Sequence, residues 1–178
     1  RRDTATGTVH VSFTRLGRDD VVLDFRGYGI FAVTVNAAPL AAYAFDGAHL
    51  RVPANALRAG ANRVDVTFTS PIAPAGASVI RFTDELDKRD YLYTLLVPSD
   101  ANLLFPCFDQ PDLKATIAFS LDVPKGWRAL SNGSVTKTTE SSTSTRFQFA
   151  ATRRIPTYLF AFAAGPFTTL RDATGEIA

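Results

Sequence analysis

Apolar and polar residues alternate with a period of two along most of the chain. Between Thr8 and Thr14, for example, Val9, Val11 and Phe13 fall on one face and polar side chains on the other. Such alternation is typical of a β-strand that buries one face. The pattern predicts about ten short strands, at residues 8–14, 21–25, 30–35, 49–52, 63–68, 79–82, 91–97, 116–123, 147–149 and 158–163.

Clusters of Gly, Pro, Asn and Asp separate these segments and predict turns. They lie at residues 36–39, 46–47, 58–62, 71–76, 124–126 and 132–133. The Ser/Thr-rich stretch 134–145 is predicted as a long hairpin loop, and the charged stretch 84–90 as a solvated loop. Leu103 and Leu104 are predicted to lie on a single helical turn.

Short strands at close spacing, without a long helical pattern, predict an all-β fold. We expect an antiparallel sandwich or multi-sheet domain with at most a short helical turn. The 178 residues suit one sizeable domain or two small ones. Since no boundary is evident, we expect residues 1–178 to form a single β domain. The sequence has no Met, so we expect it to be a segment of a longer protein.

Composition narrows the possible partners. A net charge of +2, with no Lys/Arg cluster beside aromatic residues, predicts that the chain does not bind nucleic acid. The sequence lacks an apolar run of about 18 residues, so we expect no membrane span. These observations indicate a soluble protein and leave its compartment, cytoplasmic or exported, open.

Residues with catalytic potential are few. His10 and His49 are the only histidines and lie far apart, whereas a catalytic zinc site needs about three protein ligands. Cys107 lies between Pro106 and Phe108, an apolar setting that does not activate a thiol. The acidic residues between positions 84 and 90 lack the spacing of a calcium loop. We therefore predict no catalytic residue and no metal site in this chain.

Asn132-Gly133-Ser134 fits two different patterns. It matches the sequon for N-linked glycosylation. Asn-Gly is also a hairpin-turn signal, because both residues tolerate a positive φ. We favour the turn.

The stretch Leu104–Thr116 has no regular period and contains two prolines, two aromatic residues and the only cysteine. Pro106 and Pro111 fix φ and lack an N–H donor, so the chain leaves a sheet here. We expect its Phe residues to anchor it in the core and Asp109 to accept backbone N–H groups. A structural role is therefore predicted for the stretch itself.

Residues 105–115 closely resemble the F-P-C-F-D-[EQ]-P-x-x-K-A signature of the aminopeptidase N family of zinc metallopeptidases. Residues 121–124 and 129–133 resemble that family's "VP…alSNG" strand and turn. Residues 156–162 and 165–167 resemble its "STYLxAFxxGxF" motif. The order and spacing of these motifs hold over roughly residues 80–170, whereas the first 75 residues resemble the family only in style.

This resemblance implies that the chain is the saddle-like N-terminal β domain of a zinc-dependent aminopeptidase, which removes N-terminal residues from peptides. In the family a second domain carries zinc and its H-E-x-x-H motif, which is absent here. The resemblance therefore implies a scaffold and one wall of the substrate cleft, inactive alone. Its implied partners are its own C-terminal catalytic domain and the N-terminus of a peptide substrate, with zinc in the full-length protein only.

The sequence departs from the family pattern just before the signature. Family members have Gln or Glu acceptors for the substrate's α-amine where this chain has Leu95 and Val97, and Arg where it has Asn102. The resemblance thus assigns a substrate-binding position to Leu95 and Val97. The amine is held by a catalytic-domain Glu, or Asp100 or another group substitutes, or the specificity is altered; an insertion could also shift this register.

Two other hypotheses stay open. The first is a non-catalytic relative that acts as an interaction platform, which the missing acceptors favour. The second is an unrelated β-sandwich binding module, for example for carbohydrate, which requires a row of exposed aromatic residues on one face. An open sheet without a second layer over one face would favour an interface between domains.

Overall fold

The computed structural model describes residues 3–169. They form an all-β structure, as predicted, with fourteen strands in the described part of the chain. The strands are β1 Thr4–Arg15, β2 Val21–Asp24, β3 Gly29–Val35, β4 Ala38–Pro39, β5 Ala44–Phe45, β6 His49–Val52, β7 Gly60–Ala73, β8 Val79–Thr83, β9 Asp90–Thr94, β10 Ser120–Pro124, β11 Arg128–Ser131, β12 Val135–Glu140, β13 Ser144–Phe149 and β14 Phe162–Gly165.

The helical content of residues 3–169 is limited to three single 3₁₀ turns, at Ala54–Ala56, Ala101–Leu103 and Thr157–Leu159. The second contains Leu103 and confirms the predicted helical turn at this place in the chain. Leu104 is its C-terminal capping residue.

The large sheet has eight strands in the order β11-β14-β9-β8-β7-β3-β4, with β1 paired to β7. Strand β7 joins its two halves. Most of β7 pairs antiparallel with β1 and β3, whereas its last residues, Ile72 and Ala73, pair parallel with β8. One long strand therefore continues from the N-terminal half of the sheet into the C-terminal half.

Two small sheets, β2-β6-β5 and β10-β13-β12, complete the architecture. Three apolar clusters form the core against the inner face of the large sheet. The first joins β3 and β7 to β2 and β6, the second joins β8 and β14 to the segment 96–107, and the third joins β11 and β14 to β10 and β13. The segment 96–107 is thus the middle part of the inner layer.

The outer face of the large sheet is open in the part of the chain that the structure describes. Around β7 it is polar, because His10, Asp65 and Thr34 lie opposite one another on three neighbouring strands. Around β9 it is apolar, with Tyr93 and Leu130 in one cross-strand row and both exposed. An uncovered face of this kind favours the interface between domains over a closed sandwich.

The prediction of a long hairpin loop at residues 134–145 is wrong. Strand β12 occupies Val135–Glu140, and β13 begins at Ser144 after a short turn. Because β12 is an edge strand with every residue exposed, it needs no apolar positions. Its Thr residues favour a strand through their β-branched side chains.

Three predicted boundaries need correction. Strand β7 runs through Pro71 to Ala73, because Pro71 opposes Thr4 at the first residue of β1, near the end of the ladder. The predicted turn at 58–62 ends earlier, since β7 already begins at Gly60. Strand β9 ends at Thr94 rather than 97, because the chain turns here: the N–H of Asp100 donates to the carbonyl of Leu96.

Two predicted strands start later than expected. The strand predicted at 116–123 begins only at Ser120, because the backbone of Ile117 exchanges hydrogen bonds with the hydroxyl and N–H groups of Thr152 instead of a regular ladder. The strand predicted at 158–163 is preceded by the 3₁₀ turn after Pro156 and begins at Phe162.

The core predicts a clear contrast between two leucines. Replacing the fully buried Leu50 by Ala should lower the free energy of unfolding by about 2–5 kcal/mol, because it leaves a cavity in the first cluster. Replacing the exposed Leu16 by Ala should change it by less than about 0.5 kcal/mol. Urea unfolding followed by circular dichroism measures both; equal losses would contradict this placement of the core.

Candidate substrate-binding edge

Leu95 and Val97 lie on the segment that connects β9 to the 3₁₀ turn at Ala101–Leu103. Their exposed fractions are 57% and 58%, whereas Leu96 between them is 2% exposed and belongs to the second apolar cluster. The alternation of β9 therefore continues past its last residue, and the N–H of Leu95 donates to the carbonyl of Ser78 at 2.9 Å. The two sequence-predicted side chains point away from the core.

Asp100 closes this segment and is half-buried. Its N–H donates to the carbonyl of Leu96 at 2.8 Å, which folds the chain into a turn. One oxygen of its carboxylate, Oδ1, lies 3.4 Å from Nη2 of Arg26. A single long contact leaves the carboxylate with capacity to accept further hydrogen bonds. We call residues 95–100 the 95–100 edge.

Asn102, at the position that the resemblance aligns with an Arg, forms side-chain hydrogen bonds with Arg26 and with Ser99. Its Oδ1 accepts a hydrogen bond of 2.7 Å from Nε of Arg26, and its carbonyl accepts one of 2.8 Å from the N–H of Arg26. Its Nδ2 donates to the carbonyl of Ser99 at 3.1 Å. Asn102 therefore links the 95–100 edge to the chain just after β2.

The Asp109 carboxylate is the centre of a hydrogen-bond network. Its Oδ2 accepts from the N–H and Nδ2 groups of Asn102, at 3.0 and 2.6 Å, and its Oδ1 accepts from the hydroxyl of Thr157 at 2.6 Å. The N–H of Asp109 itself donates to Oδ2 of Asp24 at 3.0 Å. The prediction that Asp109 accepts backbone N–H groups is confirmed for one such group, the N–H of Asn102. We call Asp24, Asn102, Asp109 and Thr157 the Asp109 junction.

The aromatic residues of the signature anchor the chain in two different clusters. The ring of Phe105 lies edge-on to Phe160, with centroids 5.7 Å apart, beside the second cluster. The ring of Phe108 lies edge-on to Phe13 at 5.3 Å, beside the first. As predicted, the stretch is held by packing, and it passes from one cluster to the next within a few residues.

Cys107 lies between these aromatic residues and is buried. Its N–H and carbonyl exchange hydrogen bonds with the backbone of Asp24, at 3.1 and 2.8 Å. Burial raises the pKa of the Cys107 thiol well above its usual range, and the nearby carboxylate of Asp109 raises it further. The thiol is therefore inert at neutral pH, and the prediction of a structural cysteine is confirmed.

The histidines lie apart from the 95–100 edge and from each other. Nδ1 of His10 lies 2.7 Å from Oδ1 of Asp65 on the outer face of the large sheet. Nδ1 of His49 lies 3.2 Å from Oδ2 of Asp46, on the small sheet β2-β6-β5. Within residues 3–169 no three His, Cys, Asp or Glu side chains meet in a geometry that could hold a metal ion. These residues therefore do not fit the ligand set of a zinc site.

The acidic stretch 84–90 forms a turn whose carboxylates bind groups within the loop. Oδ1 of Asp84 accepts from the N–H of Leu86, and Oδ1 of Asp87 accepts from the N–H of Arg89, each at 2.8 Å. The hydroxyl of Tyr91 donates to Oδ2 of Asp87 at 2.8 Å, which raises the pKa of Tyr91. The prediction of a loop is confirmed.

The side chain of Asn132 binds the backbone of the segment that leads into β14. Its Oδ1 accepts from the N–H of Ala161 at 2.8 Å, and its Nδ2 donates to the carbonyl of Leu159 at 2.9 Å. At Gly133 a β-carbon would lie 2.1 Å from the carbonyl oxygen of Ala150. Both residues are thus used by the bend at this point, but the predicted hairpin turn is wrong: β11 pairs with β14 and β12 pairs with β13, so the chain passes here from the large sheet to a small one.

Arg26, Asp24 and Thr157 were missed by sequence reasoning. Each reaches the 95–100 edge or the Asp109 junction from a distant part of the chain, so no local spacing connects them to it. The resemblance contained one signal for them: position 102 is Asn where the family pattern has Arg, and the guanidinium of Arg26 binds this Asn.

Within residues 3–169 no helix has the length and hydropathy needed to cross a membrane.

Comparisons with known proteins agree with the motifs. The family model of the peptidase M1 N-terminal domain matches residues 2–159. Aminopeptidase N of Streptomyces lividans is 31% identical over 157 residues, which are 88% of this chain and 18% of that protein. Aminopeptidase N of Acetobacter pasteurianus is 31% identical over 176 residues, which are 94% of this chain and 49% of that protein.

Solved structures show the same fold. An M1 zinc metallopeptidase from Deinococcus radiodurans superimposes with a TM-score of 0.75 at 19% identity, over 92% of this chain and 38% of that one. The chain thus spans less than half the length of each of these three proteins.

The Asp109 junction predicts a specific loss of stability. Replacing Asp109 by Asn should lower the free energy of unfolding by about 1.5–3 kcal/mol, because an amide nitrogen replaces one of two oxygens that accept hydrogen bonds. Asp112→Asn, three residues along at an exposed position, is the matched control and should have almost no effect. Urea unfolding measures both; an unchanged midpoint for Asp109→Asn would show that the junction does not support the fold.

Proposed function

The chain belongs to the peptidase M1 N-terminal domain family, and on this premise we propose that it is the N-terminal domain of a zinc-dependent aminopeptidase that removes N-terminal residues from peptides. The family match over residues 2–159 is the observation that carries this proposal. It is supported by the two similar aminopeptidases N and by the M1 zinc metallopeptidase that shares the fold. It also excludes the hypothesis of an unrelated β-sandwich module.

In this proposal the domain serves as a scaffold and as one wall of the substrate cleft. The 95–100 edge suits a wall because the Asp109 junction fixes its C-terminal end and the pairing of Leu95 with Ser78 fixes its N-terminal end. A site held at both ends keeps its geometry when a partner binds. The partner is the catalytic domain of the same chain, and this domain alone is inactive.

Zinc belongs to the catalytic domain in this account. The described residues do not fit a zinc ligand set, so this chain's own contribution is binding and orientation. The relatives are long enough to contain a separate metal-binding domain, since this chain covers 18% of one aminopeptidase N and 49% of another.

We assign different contacts to the three residues of the edge. Leu95 and Val97 present apolar surface, which suits the side chain of the substrate's first residue. Asp100 carries the only carboxylate among residues 95–100. An ammonium group requires acceptors, and a carboxylate provides the stronger, charge-assisted ones. Asp100 is therefore the group on this wall that receives the substrate's α-amine.

A non-catalytic relative that acts as an interaction platform is the second candidate. The observation that favours it is the apolar pair Leu95 and Val97 where the family pattern has acceptors for the amine. Such a protein would keep the fold and the exposed apolar edge but would not cleave peptides.

Peptidase activity of the full-length protein separates the two candidates. We expect it to release the chromophore from aminoacyl chromogenic substrates, to lose activity with a zinc chelator and to regain it with added zinc. Residues 1–178 alone should show no activity. An inactive zinc-loaded full-length protein would favour the interaction platform.

Asp100 provides a residue-level test in the same assay. Asp100→Ala should raise KM by about 10- to 100-fold, since a charge-assisted hydrogen bond contributes roughly 1.5–3 kcal/mol. Asp112→Ala, an exposed carboxylate away from the edge, should leave KM unchanged. Thermal unfolding of both variants shows whether the fold is retained. An unchanged KM for a folded Asp100→Ala enzyme would remove Asp100 from the substrate site.

A further inference from the structure

Arg26 lies beside the 95–100 edge but belongs to a distant part of the chain, the connection between β2 and β3. Its guanidinium contacts two residues of the turn that ends this edge. Nε donates to Oδ1 of Asn102 at 2.7 Å, and Nη2 donates to Oδ1 of Asp100 at 3.4 Å. Because a guanidinium is planar and holds its N–H donors in a fixed fork, the bond at Nε also sets the direction of Nη2.

The backbone that carries Arg26 is fixed by its neighbours. Phe25, the residue before it, is fully buried, and its ring lies edge-on to the ring of Phe68 with centroids 5.5 Å apart. At Gly27, the residue after it, a β-carbon would lie 2.2 Å from the ring of Phe25. The N–H of Arg26 itself donates to the carbonyl of Asn102 at 2.8 Å. The Arg26 side chain therefore starts from a backbone position that the core and Asn102 determine.

The two oxygens of the Asp100 carboxylate are used differently. Oδ1 faces Arg26, whereas Oδ2 accepts no hydrogen bond from any residue between positions 3 and 169. The Asp100 side chain is 39% exposed, and fixing the rotamer of such a side chain when a ligand binds costs free energy. The contact between Arg26 and Oδ1 restricts these rotamers before a ligand arrives. Oδ2 is then the atom that remains for the α-amine.

The charge of Arg26 opposes the binding of a second cation, so its two effects on an ammonium group have opposite signs. Arg26 and Asp100 are both partly exposed, with side-chain exposures of 51% and 39%. Water weakens the interaction between charges at such positions. The orienting effect does not depend on the net charge, because it comes from the direction of the N–H···O contact. We therefore expect orientation to be the larger of the two effects.

We propose that Arg26 is a positioning residue of the substrate site: it binds Oδ1 of Asp100, so that Oδ2 receives the α-amine of the peptide. This inference rests on the proposed function in one respect, namely the role of Asp100. Arg26 acts through Asp100 and does not contact the substrate itself. Its contribution to substrate binding therefore disappears when Asp100 is replaced, which distinguishes positioning from direct binding.

Steady-state kinetics of the full-length enzyme on an aminoacyl chromogenic substrate test this proposal. Arg26→Ala should raise KM by about 3- to 10-fold, because the carboxylate must then be ordered when the amine binds. It should leave kcat unchanged, since the amine is held alike before and during cleavage. In the Asp100→Ala background the same replacement should not change KM. Arg51→Ala is the matched control and should not change KM either, because Arg51 is similarly exposed and its Nη1 lies 3.7 Å from Oδ2 of Asp20 on another sheet.

An unchanged or lower KM for a folded Arg26→Ala enzyme would overturn the proposal, and so would an equal rise in both backgrounds, since Arg26 would then bind the substrate itself. If Asp100→Ala raises KM in the same assay, such a result removes only the positioning by Arg26 and leaves the proposed function intact.

The orientation of Asp100 is measured separately from activity. Crystal structures of the full-length protein and of its Arg26→Ala variant should show the Asp100 carboxylate in different rotamers on an unchanged backbone. The same rotamer in both structures would overturn the proposal. A changed rotamer in a protein that lacks peptidase activity supports the positioning of Asp100 by Arg26 and removes the proposed function.

Discussion

The carboxylate of Asp109 holds the segment 96–107 in the inner layer of this domain. Two of its bonds go to Asn102 and one to Thr157, while the Asp109 N–H reaches Asp24. A segment outside the sheets must find other partners for its backbone polar groups, because burying them unpaired costs free energy. The junction supplies several of these partners, and others come from the hydroxyl of Ser70 and the backbone of Asp24.

This constraint links the fold to the proposed site. The segment 96–107 forms the middle cluster between the two small sheets, so its position depends on packing from both sides and on the junction at its end. The 95–100 edge is the exposed border of the same segment. Its side chains are therefore placed by the core, and the proposed contact with substrate uses residues that the fold has already fixed.

The large sheet is covered on its inner face only. Its outer face is polar around His10 and Asp65 and apolar around Tyr93 and Leu130. The two halves of the outer face therefore differ in chemical character, whereas the inner face is apolar along the three core clusters.

Periodicity predicted strands such as β1 and β7, in which one face is buried. It missed the short strand β11 and the fully exposed strand β12. It also failed at residues 116–119 and 158–161, where no regular ladder forms. The signature predicted the roles of Phe105, Cys107 and Asp109. The contributions of Arg26 and Thr157 depend on contacts between distant segments, for which one sequence contains no signal.

The central claim is that the 95–100 edge borders the substrate site of a longer enzyme. A crystal structure of the full-length protein with zinc and a bound amino acid tests it most directly. We predict atoms of Leu95, Val97 and Asp100 within about 4.5 Å of the bound amino acid, the limit of direct contact. An amino acid bound to zinc without any contact to these three residues would contradict it.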